Sequence, residues 1–188
     1  AAVRASRNCS VVSARAPKAP MDRASSSQAI SPRSALIVPL ARPLNDAAAR
    51  TLGDYVRGGG RLLLTGGDQR RLTETLLHCA EATPVLHAIV SAYEQGTPLV
   101  AVAAAASALA DRMIAEGDSD AALRYGASED AGFSGVVIER GIGLNTFGLI
   151  DQNFLSRRRL GRLLVACAEE GSSYGFGLCE ESGLVISG

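Results

Sequence analysis

From residue 35 onward, short apolar runs alternate with longer stretches of mixed polarity. "ALIVPLA" is the first run, and "LNDAAARTLGDYVRGG" then places Leu44, Ala47, Ala48, Leu52, Tyr55 and Val56 on one helical face, with Asn45 or Asp46 available to cap it. "GRLLLTGGDQ" is a second run, ending in glycines, after which "RRLTETLLHCAEATPVLHAIVSAYEQG" returns to helical spacing. "TPLVAVA" is a third, followed by "ASALADRMIAEG", which reads as a helix. The pattern predicts strands at 36–40, 61–65, 98–102 and 135–138, and helices at 45–57, 70–79, 84–95 and 104–116. Three alternations of strand and helix are the mark of parallel βαβ units, so the predicted class is α/β with a mainly parallel central sheet. In such sheets the functional loops lie at the carboxyl ends of the strands. Here those loops are "TGGDQ" and "VAVAAAA".

Residues 1–33 do not share this pattern. They are rich in Ala, Ser, Arg and Pro, hold Asp22 as their one acid, and lack the apolar content that packs a core. The chain is therefore divided into a basic arm, 1–33, and an α/β domain, 34–188. Arg- and Ser-rich, acid-poor composition fits an organelle transit segment as well as an ordinary peripheral arm. The expected location is accordingly cytoplasmic, or a plastid or mitochondrion if the arm is a transit remnant.

Charge and cysteine usage narrow the function classes. The formal net charge is zero, yet seven of the nineteen basic residues and one of the nineteen acids fall within residues 1–42. The remainder is mildly acidic, which argues against a nucleic-acid-binding face. Cys9, Cys79, Cys167 and Cys179 are far apart, with no CxxC pair and no histidine at ligand spacing, so no metal site, cofactor site or disulfide framework is expected. No apolar run reaches the ~18 residues of a membrane span.

Two loops carry candidate chemistry. After "RLLL", Gly66 and Gly67 permit backbone angles closed to other residues and bring main-chain N–H groups near a ligand, and Asp68 and Gln69 add a carboxylate and an amide. A plain tight turn has the same sequence. Farther on, "GLIDQNFLSRRRLGR" brings Asp151, Gln152, Asn153, Arg157, Arg158, Arg159 and Arg162 close together in the chain. This is either a solvated, basic helix start or an anion subsite built from planar guanidinium donors.

"LLLTGGDQRRLTETL", "MIAEG", "GIGLNTFGLIDQNFLSRRRLGRLL" and "GFGLCEESGLVISG" resemble, in order and spacing, the motifs of cyanophycinase, in the serine peptidase family that also contains aspartyl dipeptidase. The resemblance runs from about Ser34 to Gly188. It implies a three-layer, class I glutamine amidotransferase-like fold. It also implies that residues 99–106 correspond to a strand-turn-helix elbow of the form V-A-G-T-S-A-G-A, which exposes a nucleophilic serine. Ala101 and Ala105 then fall on the elbow glycines, Val102 on the threonine and Ala103 on the serine. Asn153 falls on the histidine base of "DQHF". "GLCEESG" matches the segment of the orienting acid, with Glu180 kept and Cys179 in place of an aspartate.

Alanine has no nucleophilic atom, and an asparagine amide cannot take up and return a proton near neutral pH. The resemblance thus implies a pseudopeptidase, most simply a non-catalytic structural or interaction subunit of a larger assembly. The alternative is a serine-type peptidase homologue that binds or cleaves β-aspartyl-arginine peptides. Methyls at Ala101 and Ala105 are expected to strain and fill the turn, so that Ala103→Ser with Asn153→His restores nothing unless both return to glycine. Ser107 is expected to bond back to a helix carbonyl, and His78 and His87 to be surface or packing residues. Carried over by motif, Gln69, Asp151, Gln152, Arg157, Arg159 and Arg162 are the candidate ligand-binding positions, joined by Gly67 and Asp68. They either meet an Asp/Arg-rich peptide or hold the loops together. Expected partners are other proteins, in a hetero-complex or in the homodimer that the resemblance implies, and not nucleic acid.

Overall fold

The computed structural model describes residues 2–6, 46–79 and 81–187. The predicted strand at 36–40 and most of the basic arm lie outside them. In chain order the elements are β1 (Ala2–Ser6), α1 (Asp46–Arg57), β2 (Leu62–Gly66), α2 (Gln69–Leu76), β3 (Leu77–His78), β4 (Glu81–Ala82), α3 (Pro84–Glu94), β5 (Leu99–Ala103) and α4 (Ala104–Ala108). There follow β6 (Arg112–Glu116), α5 (Ser119–Tyr125), β7 (Ala127–Ser128), β8 (Val136–Arg140), β9 (Leu149–Gln152), α6 (Leu160–Glu169), β10 (Gly175–Leu178) and β11 (Gly183–Ser187).

The α/β class and its parallel elements agree with the sequence reading. β2 pairs with β5 in parallel, as do β9 with β10 and β7 with β8. β6 lies antiparallel to β8, β3 to β4 and β1 to β11. Among the described residues the predicted strands near 62, 99 and 136 are thus divided: the first two pair directly, and β8 stands in a separate three-stranded sheet between β6 and β7.

One predicted element is overturned. The helix at 104–116 stops at Ala108, and Arg112–Glu116 is a strand. Met113 and Ile114 are buried in it, and backbone pairing to β8 holds Arg112 to Glu116 extended. Tertiary pairing outweighs the helix propensity of an alanine-rich segment, which is at most a few tenths of a kcal/mol per residue. The helix predicted at 70–79 ends at Leu76 for a similar reason, because Leu77 and His78 turn into a short hairpin with β4.

Two cores follow from this layout. Leu52 of α1, Leu72 and Leu76 of α2, Leu86 and Ile89 of α3, and Leu62 and Leu64 of β2 form the first. Each fully buried leucine there contributes roughly 1.5–3 kcal/mol relative to exposure. Ile114, Val136, Ile138 and Leu149 form the second, under Leu163 and Ala166 of α6. α4 packs against both β5 and β9 and so joins the halves.

The helix starts are fixed locally. Asp68 accepts the amide of Arg70 at 2.9 Å, Thr83 caps α3 with Pro84 at its first position, and Asp118 accepts the amide of Ala121 at 2.8 Å. α6 has no side-chain cap of its own; the Ser119 hydroxyl accepts the Arg162 amide at 3.2 Å and donates to the Arg158 carbonyl at 2.5 Å. α5 therefore supplies the cap of α6.

Candidate functional site

The register Gly66↔Ala103 puts the carboxyl ends of β2 and β5 side by side, so the glycine loop and the alanine run meet at one sheet edge. The chain turns there from strand to helix at Ala103, which has φ 55° and ψ −126°. A residue with a Cβ is strained by roughly 1–3 kcal/mol in such a region. That is the shape of an elbow which presents a side chain outward from the strand end, and Ala103 is exposed while Ala104 to Ala108 are buried.

This corrects the strain expected at two positions. Ala101 lies in β5 and Ala105 in α4, and neither is among the positive-φ residues; the strain rests on Ala103. Nor do Gly66 and Gly67 adopt positive φ. Nor does either position lack room for a side chain: a Cβ on Gly66 would lie 3.8 Å from the Ala105 amide nitrogen, an ordinary contact, and one on Gly67 would meet nothing within 4 Å.

The second loop follows β9, the strand against which α4 packs. Asp151 is 1% exposed and accepts four hydrogen bonds. Arg162 grips it with Nε at 2.7 Å from Oδ2 and Nη2 at 2.5 Å from Oδ1. Arg159 Nη1 lies 3.0 Å from Oδ1, and the Gln152 amide 2.9 Å from the same oxygen. Arg162 Nη1 reaches the Gly117 carbonyl at 2.7 Å, and Arg159 Nη1 the Gln152 carbonyl, also at 2.7 Å. Burial, aided by the like charge of Arg162, lowers the Arg159 guanidinium pKa. Gln69 is buried too, and donates to the carbonyls of Ile114 at 2.9 Å and Ala115 at 3.1 Å.

Asn153 adopts φ 51°, and its amide donates to Gln152 Oε1 at 2.8 Å. Three residues on, the Ser156 hydroxyl donates to Glu180 Oε1 at 2.5 Å. That hydroxyl, together with the Glu180 backbone N–H and the nearby Arg157 charge, holds the Glu180 carboxyl below the usual carboxylate range. Arg157 and Glu180 are exposed. The motif candidates thus separate: Gln69, Asp151, Arg159 and Arg162 are engaged inside the fold, whereas Gly67, Asp68, Ala103, Arg157 and Glu180 are exposed. Ser156 was not singled out by sequence; its place three residues after Asn153 in a turn is the signal that could have found it.

Ser107 is 2% exposed, and its hydroxyl has no hydrogen-bond partner, contrary to the expected bond to a helix carbonyl. Cys179 is half-buried; His78 and His87 are exposed. Among the described residues no group of three His, Cys, Asp or Glu side chains is placed to hold a metal ion, and no helix is long and apolar enough to cross a membrane.

Over 122 residues, 64% of this chain, the sequence is 34% identical to proteins of Trichormus variabilis and of a Nostoc species, and 30% identical to one of Synechococcus elongatus. Each is a cyanophycinase. The chain is cyanophycinase-like over that stretch, and the stretch spans 37%, 37% and 34% of those cyanophycinases, about a third of their length. No family model matches the chain.

Proposed function

We propose that this cyanophycinase-like chain carries out no hydrolysis and acts by binding, as an interaction or structural subunit. The observation that carries this reading is Ala103 at the apex of the strand-to-helix elbow. Acyl transfer needs a nucleophilic atom there and a base that takes its proton. A methyl group supplies no lone pair, and the Asn153 amide beyond β9 is turned to Gln152. Stand-ins lack support: Ser107 is buried, and the two histidines lie on and beside helices α2 and α3, on exposed positions. Exposed Leu63, Val100 and Val102 on one face of the parallel β2–β5 pair support an interaction role, since parallel sheets are ordinarily covered on both faces.

The test is hydrolysis of cyanophycin and of β-aspartyl-arginine. No turnover above background and no labelling by a serine-directed fluorophosphonate are expected; turnover abolished by substituting Ser107 or Cys179 would overturn the reading. The strand-to-helix turn at Ala103 and the open space at Gly67 favour a second reading, a site that accepts a β-aspartyl-arginine peptide without cleaving it. Calorimetric titration with that dipeptide separates the two. Because Ala103, and neither Ala101 nor Ala105, has a positive φ, Ala103→Ser with Asn153→His is the informative revertant, with Ala101 and Ala105 left in place.

A further inference from the structure

Glu180 lies in the turn between β10 and β11, and Ser156 in the loop after β9. Besides Glu180 Oε1 at 2.5 Å, the Ser156 hydroxyl has the Asn153 carbonyl oxygen at 3.2 Å. A hydroxyl carries one proton, and the shorter, charge-assisted bond to the carboxylate is the stronger. The contact spans 24 positions of sequence and joins the loops that leave the paired ends of β9 and β10, next to the Phe154 amide's bond to the Leu178 carbonyl at 3.0 Å. On the other side of the loop the Asn153 side chain is committed to Gln152 Oε1. The carboxylate and the side chain at 153 are therefore each bonded to something other than the other.

We propose that Ser156 is a positioning residue for Glu180: it pins the carboxylate to the 153–157 loop and competes for it with a side chain at position 153 that would donate to it. Resting on the non-hydrolytic reading above, this makes Ser156 a third departure from acyl-transfer geometry, beside Ala103 and Asn153. It differs from them in kind. Those two lack a reactive atom, whereas Ser156 diverts a group that is present.

The experiment uses the full chain and follows the Glu180 carboxylate carbon by NMR across acid pH. In Ser156→Ala the midpoint rises toward the ordinary carboxylate range, and Ser156→Thr, which keeps the hydroxyl, holds it low. An unchanged midpoint in Ser156→Ala overturns the proposal. Competition for position 153 is read separately, from the imidazole midpoint of Asn153→His in the Ala103→Ser background, with and without Ser156→Ala. The freed carboxylate raises that midpoint by about one unit; equal midpoints sink the competition. Both readouts are independent of turnover, so hydrolysis by the unsubstituted chain would overturn the non-hydrolytic reading and leave the Glu180 titration as it stands.

Discussion

The Ala103 elbow and the Asp151 cluster are opposites. At the elbow the backbone has a conformation that costs energy and presents nothing but a methyl group. At Asp151 the side chains are rich in chemistry, and all of it is spent on one another: a 1% exposed carboxylate with two guanidiniums and a backbone amide. Backbone strain and side-chain chemistry thus sit in different places. The Asp151 groups tie β9, α6 and the Gly117 turn together, whereas the elbow holds a strained backbone with no polar side chain at its apex.

Asp151→Asn tests this contrast most severely. It leaves Arg162 and Arg159 without their charge partner in the interior, and a loss of about 3–5 kcal/mol is expected in urea denaturation. A loss below about half a kcal/mol together with weaker β-aspartyl-arginine binding would turn the cluster from a brace into a ligand site. Ser107→Ala acts in the opposite sense on the elbow helix. It removes a buried hydroxyl with no partner and is expected to raise stability by about 1–2 kcal/mol. Ala103→Gly relieves the positive φ, and after the entropy that glycine loses on folding the net gain should be about 1 kcal/mol; a destabilised variant would mean that the apex is not strained. The smallest effect concerns Glu180. Its folded pKa lies below the unfolded one, so the Ser156 bond contributes above the unfolded value of about 4.3 and is lost as pH falls through the folded one. Urea midpoints of the parent and Ser156→Ala should therefore differ above that pH and converge in stronger acid.

Much of the first half was legible in the sequence. β2, α3 and β5 come within a residue or so of the expected bounds, because their apolar runs are bracketed by glycine, proline and capping residues such as Thr83. β6 was not legible. "RMIAE" offers two buried side chains after an alanine run, too short to show a period, and the partner that makes it a strand is β8, some two dozen residues on. The absence of a hydroxyl at 103 and of an imidazole at 153 was plain from residue identity. The positive φ at Ala103 was not, since alanine gives no sign of it and the neighbouring glycines, which do, turn out to need none. Likewise the arginine run could not say which guanidiniums turn inward. Arg159 and Arg162 do so because β9 places Asp151 beneath them, and Arg157, two residues earlier, remains exposed.

The shared cap at Ser119 has a kinetic consequence. α6 has no side chain of its own to cap its first turn; that role falls to a hydroxyl 39 positions before Arg158 and 43 before Arg162. Closing a loop of that length costs entropy before any helix hydrogen bond offsets it. The start of α6 should therefore form late, after β6 and α5 have brought Ser119 into place, and Ser119→Ala should speed unfolding more than it slows folding. If refolding slows instead, the α5–α6 junction belongs to the folding nucleus, and the second core is assembled around it.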